Sequence, residues 1–190
     1  MIDAIFDISG ESVPANYPFG LWNELQRLMP ELSAESSVAV LPLRTAGSVS
    51  GLLLAKRAKL TVRLPPSLAE KLLAISGQTL DINGYSLQIG SGKLREIQAY
   101  PTISSYLVAG ERDEVVFTDN IAAHLEQMGI AANLICGRAV VLEGENQAIH
   151  GFSLVIHNLK PEDSLRLQYT GLGSNRQHGC GVFIPYKVIS

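Results

Sequence analysis

YPTISSYLVAG, residues 100–110, is where the chain begins its pattern a second time. After Tyr100-Pro101, Ile103–Ala109 reads as a strand, and the segments beyond it repeat the order of those before it. Downstream, Thr118–Gly129 reads as a helix with an apolar stripe of Ile121, Leu125 and Met128, and Gly129 lies past its end. Asn133–Leu142 and Ile149–Asn158 read as strands around a polar turn containing Gly144, and Pro161 opens a helix through about Thr170. Upstream, Ile2–Ile8 is a first strand. Asn16-Tyr17-Pro18 opens a helix whose stripe is Phe19, Trp22, Leu25 and Met29, stopped by Pro30. Val38–Leu43 is a short strand. Ser50–Ala55 and Lys59–Leu64 read as a hairpin around Lys56-Arg57. Pro65-Pro66 opens a second helix capped by Gly77, and Asn83-Gly84 is a tight turn between Thr79–Ile82 and Tyr85–Ile89.

With a last alternating strand from Cys180 through Val182 to Ile184, the order reads as β-α-β-β-α-β, twice, the first half carrying additional hairpin arms, with similar spacing between the two helices of each half. This predicts an α+β protein of two tandem ferredoxin-like, RNA-recognition-motif-like domains, residues 1–98 and 99–190, the second carrying a C-terminal glycine-rich loop. In such a fold the helices cover one sheet face and the other is free to bind. No pair of aromatics stands on a central strand, so a conventional RNA-recognition motif is not supported.

With 46% hydrophobic and 17% charged residues, the 190-residue chain has the composition of a folded protein with a proper core. A net charge of −3 argues against indiscriminate nucleic-acid binding but leaves room for a local basic patch. Cys136 and Cys180 form neither a disulfide framework nor a C-x-x-C pair. The acidic start MIDAIFDISGE is unlike a signal peptide, and no apolar run is long enough to span a bilayer. The expectation is a soluble, cytoplasmic, thiol-reduced protein without a membrane partner.

The stretch richest in chemistry is Gly171–Lys187, GLGSNRQHGCGVFIPYK. Gly171, Gly173, Gly179 and Gly181 allow positive φ and close approach of the backbone to a ligand. Exposed backbone N–H groups in such a loop form anion-binding concavities, Arg176 adds a planar fork matched to phosphate, and Ser174, Asn175 and Gln177 are candidate contact residues beside it. A plain hairpin explains the same glycines, and that reading stays open. Gly171-x-Gly173 follows a helix and precedes a strand, the reverse of a dinucleotide fingerprint. His178 lies inside the loop. His124 reads as an exposed helix residue, His150 precedes a strand, and His157 sits on the strand face opposite Phe152, Leu154 and Ile156. Lys56, Arg57, Lys59 and Arg63 fall within eight positions, a turn and strand face able to hold several phosphates. No metal-ligand cluster, P-loop or serine triad is present in the spacing, and no cofactor is expected.

Asp163–Lys187, DSLRLQYTGLGSNRQHGCGVFIPYK, with its Ser-Leu-Arg-Leu, Gly-x-Gly, Arg and Gly-Cys-Gly-x-Phe-x-Pro, resembles the C-terminal signature of the repeat-processing endoribonucleases of CRISPR systems. These belong to the RAMP superfamily, and the likeness is to the myxobacterial-subtype branch. Val13-Pro14-Ala15, Leu21 and LTVRLP resemble its N-terminal landmarks, so the likeness spans nearly the full length. It implies binding of CRISPR repeat RNA and metal-independent cleavage of precursor crRNA by 2′-hydroxyl attack, leaving a 2′,3′-cyclic phosphate. It also implies retention of the crRNA, with other effector subunits as partners. Where the branch commonly places a histidine after an acid, this chain has Asn16 and Tyr17. The resemblance thus implies Tyr17 near the scissile phosphate, His178 as the alternative proton-transfer group, Arg176 and Lys187 on phosphates, and Lys56–Lys59 on the repeat stem. A non-catalytic crRNA-binding subunit and a protein-interaction scaffold are the other readings the residues allow.

Overall fold

The computed structural model describes residues 1–48 and 51–186. Lys187 and Ser50, both named above, lie outside the described residues. The chain divides into two compact units, Met1–Glu96 and Ile97–Ser190.

In the first unit the elements run β1 (Ile2–Ser9), β2 (Ser12–Val13), α1 (Tyr17–Leu28), β3 (Ala39–Val40), β4 (Thr45–Ser48) and β5 (Gly51–Leu54), then β6 (Lys59–Leu64), α2 (Pro66–Leu72), β7 (Thr79–Ile82) and β8 (Tyr85–Arg95). The main sheet has the antiparallel order β3-β6-β1-β8-β7, the ferredoxin-like arrangement with one added hairpin strand. Strand alternation sends Ala4 and Phe6 of β1 and Leu60, Val62 and Leu64 of β6 to one face. There they meet Leu21 and Leu25 of α1 and Ala69 and Leu72 of α2 in a single buried cluster. Asp3, Ile5 and Asp7 point to the other face.

The expected hairpin of 50–55 with 59–64 does not form. β5 pairs with β2 and β4 in a separate three-stranded sheet, whereas β6 pairs with β1 and β3. The reason is the cross-strand match: Asp3 lies opposite Arg63 and Asp7 opposite Lys59, so β1 offers β6 two charge partners that β5 lacks. Only Ala39–Val40 of the expected strand at 38–43 is paired as strand, and β8 continues six residues past Ile89, to Arg95.

The second unit runs β9 (Ile103–Ala109), α3 (Glu114–Gln127), β10 (Asn133–Glu143), β11 (Ala148–His157), α4 (Pro161–Thr170) and β12 (Ile184–Pro185). Its sheet order, β10-β11-β9-β12, is again ferredoxin-like and antiparallel. α3 begins four residues before the expected Thr118, because the Asp113 carboxylate accepts the N–H groups of Val115 and Val116 and caps it there. The core joins Ile121 and Leu125 of α3, Leu167 of α4, and Phe152, Leu154 and Ile156 of β11. Phe117 and Phe152 pack with ring centroids 4.9 Å apart. Buried Ser164 and Gln168 on α4 fasten the incoming chain: Tyr100 N donates to Ser164 Oγ at 3.0 Å, and Gln168 Nε2 donates to Gln98 O at 2.8 Å. Among the described residues no helix is long and apolar enough to cross a membrane.

Candidate nucleic-acid interface

The glycine stretch is a loop, as expected, but of the strand expected after it at Cys180–Ile184 only Ile184 is paired, in β12. The loop leaves α4 at Gly171, which takes φ 65°, and makes a short 3-10 turn at Arg176–His178 between two left-handed residues, Asn175 and Gly179. Its base is closed by backbone bonds: Leu172 N to Gly181 O at 3.1 Å, Gly181 N to Leu107 O at 2.7 Å and Cys180 N to Asn175 O at 3.1 Å. Gly181 carries the tightest constraint. Its φ is +65°, and a Cβ there would lie 1.8 Å from Leu172 O. The glycines thus serve the loop's own closure. The part that meets solvent is the exposed Gly173–Ser174 tip, with Asn175, Gln177 and His178 half-buried behind it.

Arg176 is 9% exposed, and its Nη1 donates to Tyr169 O at 2.8 Å and to Thr170 O at 2.5 Å. These are carbonyls at the end of α4, where a helix lacks its own donors and a cation is favoured. Arg166, in the same signature, does the same for the end of α3: its Nη1 donates to Met128 O at 2.7 Å. Both arginines therefore shape the backbone. Cys180 is buried, which pushes its thiol up to about 12.

Beside the loop, the second unit holds an open cleft of about 640 Å³ lined in part by Gly110, Arg112, Gln147, His150 and Asn175. Arg112 Nη2 lies 2.9 Å from His150 Nε2. A guanidinium only donates, so this bond makes Nε2 the acceptor and leaves the proton of the neutral ring on Nδ1. Asn175 belongs both to this cleft and to the turn that holds His178, since His178 N donates to Asn175 O at 3.0 Å. Nothing in the linear spacing pointed to Arg112 with His150; β9 and β11 bring them together.

The basic residues of the first unit separate into two kinds. Lys56 and Arg57 are exposed on the turn after β5. Ala55 N donates to Arg44 O at 2.9 Å, which sets the exposed Arg44 beside them, a neighbour the sequence did not reveal. No ion pair engages these three among the described residues. By contrast, Lys59 is bonded to Asp7, whose carboxyl is held below its ordinary range first by that bond, then by Ser91. Arg63 is only 2% exposed and grips Asp3 through Nε–Oδ1 at 2.8 Å and Nη2–Oδ2 at 3.1 Å. The positive strand face expected from Lys59 and Arg63 is thus locally neutralised, because β1 supplies an acid opposite each.

Tyr17 lies in the first unit's core, 7% exposed, and its hydroxyl accepts from Leu43 N at 2.8 Å. It packs α1 and orders the segment after β3. His178 remains a half-buried imidazole in the second unit. Among the described residues no group of three His, Cys, Asp or Glu side chains is placed to hold a metal ion.

Comparison with known proteins yields a family model, Cas6 Crispr, matching residues 2–188. The CRISPR-associated endonuclease Cas6 of Myxococcus xanthus (strain DK1622) is 31% identical over 186 residues, covering 97% of this chain and 81% of that protein. Among solved structures, a CRISPR associated protein Cas6 superposes with a TM-score of 0.68 at 11% identity, covering 98% of this chain and 99% of its own. A RAMP protein described as binding different RNA substrates also gives 0.68, at 13% identity, covering 96% and 98%. The structural likenesses are to the tandem ferredoxin-like fold.

Proposed function

The chain belongs to the Cas6 family of CRISPR-associated endonucleases, and on that premise we propose that it binds CRISPR repeat RNA and cuts it without a metal ion. The 2′-oxygen attacks the adjacent phosphorus while the bond to the 5′-oxygen breaks. One proton leaves the 2′-hydroxyl and one reaches the departing 5′-oxygen, giving a 2′,3′-cyclic phosphate and a 5′-hydroxyl. The observation that carries this reading is the near full-length match to an endonuclease relative. The cut crRNA then stays bound by its 3′ end, as a subunit of a larger effector assembly.

In this account the RNA backbone runs over the Gly173–Ser174 tip, with Asn175 and Gln177 as polar contacts. His178 is the proton-transfer group. Arg44, Lys56 and Arg57 supply phosphate contacts in the first unit, and Lys187 supplies another. Gly171, Gly179, Gly181 and Arg176 hold the loop in shape, and Arg63 and Lys59 act through their carboxylate partners. His178→Ala tests this: the variant retains repeat affinity and loses cleavage. Cleavage at the parent's rate removes His178 from the chemistry and turns attention to the Arg112–His150 cleft.

A second reading, a subunit that holds guide RNA without cutting it, is favoured by one observation. At the position where the resemblance expects a histidine stands Tyr17, whose hydroxyl is buried on Leu43 N. Product analysis separates the two readings.

A further inference from the structure

On the second unit's sheet, the face away from α3 and α4 carries a row across all four strands. The register aligns Ile184 of β12, Ser104 of β9, Val155 of β11 and Ile135 of β10. Ile184 and Ile135 are exposed, and Ser104 and Val155 half-buried. Next to this row stands Tyr106 on the central strand β9, 53% exposed, with the Arg138 guanidinium 5.6 Å from its ring centroid.

The arginine comes from β10 and reaches across β11 to do this. The strands make room for it. β10 and β11 shift register between Cys136 and Ala139, and β11 and β9 between Phe152 and Leu154. Ser153 lies between them, and its Oγ accepts Arg138 N at 3.1 Å. A Cβ at Gly137 would sit 2.2 Å from that oxygen. The bulges, the glycine and the serine together aim one cation over one ring. The ring stays open to solvent, and the four-strand row beside it is apolar or hydroxylic. None of these six residues is a carboxylate, in a chain of net charge −3.

We propose that this face is a stacking platform for single-stranded RNA, distinct from the glycine loop. A base stacks on Tyr106, its neighbour lies on the Ile135–Val155 row, and Arg138 takes the intervening phosphate. An unpaired nucleic acid fits better than a protein strand for two reasons. An exposed aromatic on a central strand is a base-sized surface, and the charge that these six residues carry is the sign a phosphate needs. The inference rests on the RNA-binding reading above and adds the unpaired class of ligand to it.

The test is fluorescence-anisotropy titration of the full chain with a labelled oligouridylate of about eight nucleotides and, separately, with the repeat RNA. Tyr106→Ala is expected to weaken oligouridylate binding about 5- to 150-fold, while Tyr106→Phe stays near the parent. Arg138→Gln is expected to flatten the salt dependence by about 0.7 in log–log slope. Thermal melts check folding, and Arg138→Gln gives an independent reading should Tyr106→Ala fail to fold. Unchanged affinity and salt slope in both variants overturns the platform, as does a parent that binds repeat RNA but not oligouridylate. Loss of self-association or partner binding in Tyr106→Ala, with RNA affinity intact, overturns it in favour of a protein surface. A parent that binds neither RNA fails the RNA reading itself, a different result from all of these.

Discussion

Replacing Arg63 by methionine separates a structural cation from an RNA-binding one. The guanidinium is 2% exposed and makes two bonds to Asp3, which the sheet register sets directly opposite. Methionine fills much of the same volume but leaves the Asp3 carboxylate buried without its main partner. Breaking one side of a buried pair costs about 3–5 kcal/mol. Arg95 Nη2 lies 3.6 Å from Asp3 Oδ2 and is 61% exposed, so it offers partial, screened compensation. The lower end, about 3 kcal/mol, is therefore expected, and for a unit of this size that lowers the melting midpoint by roughly 10–25 °C. The assay is a thermal melt of the parent, Arg63→Met and the double variant Asp3→Leu/Arg63→Met, with repeat-RNA affinity measured across salt below the midpoint. The double variant should recover much of the loss, because it leaves no buried charge. RNA affinity and salt slope should match the parent. A stable Arg63→Met protein whose salt slope falls by about 0.7–0.9 would place Arg63 on a phosphate and refute the reasoning.

Arg176→Ala strips the cap from two carbonyls at the end of α4 and should destabilise the second unit by about 2–4 kcal/mol in denaturant titration. Its RNA affinity should drop with the salt slope retained; a shallower slope without loss of stability would make Arg176 a phosphate ligand instead. Tyr17→Phe leaves Leu43 N without its acceptor and should cost about 1–3 kcal/mol, with the single-turnover cleavage rate unchanged once folding is matched. A rate loss in a fully folded Tyr17→Phe protein would return the phenol to the chemistry. Burial holds the Cys180 thiol near 12 against an ordinary value of 9.0, so at pH 8 only about one molecule in ten thousand carries the thiolate, and a disulfide reagent should label it only on unfolding. The raised value has a defined sign: its stabilising effect is complete below pH 9.0 and is lost as pH rises towards about 12, at about 1.4 kcal/mol per pH unit. Flat stability across that window would contradict the burial of this thiol.

The doubled ferredoxin-like order was legible because strand alternation and helix stripes are local signals, and the main sheet of each unit has the ferredoxin-like order, whereas the small β2-β5-β4 sheet was not foreseen. Where reading failed, the deciding partner was distant in sequence. Arg63 alternates with Leu64 as a solvent-facing cation would, yet Asp3, some sixty residues earlier, draws it inside. Lys59–Leu64 looked like the return arm of a hairpin until β1 supplied its charge partners. The start of α3 was missed although the signal was present, in Asp113 two residues before Val115. The glycine loop was visible as a loop, but its purpose was not. Spacing cannot tell a glycine that meets a ligand from Gly181, which meets Leu172 O. His157 lies half-buried on the free sheet face, as the alternation of β11 indicates, whereas Arg112 with His150, Arg44 with Lys56, and Arg138 over Tyr106 exist only through pairing.

The most direct measurement of the central claim is incubation of the purified protein with end-labelled repeat RNA in EDTA, beside the same RNA bearing one 2′-deoxy nucleotide at the cut. The predicted result is a single cut in EDTA, a 2′,3′-cyclic phosphate on the upstream fragment, and no cut in the deoxy strand. Cleavage that requires added divalent metal, or that proceeds through the deoxy position, would contradict it.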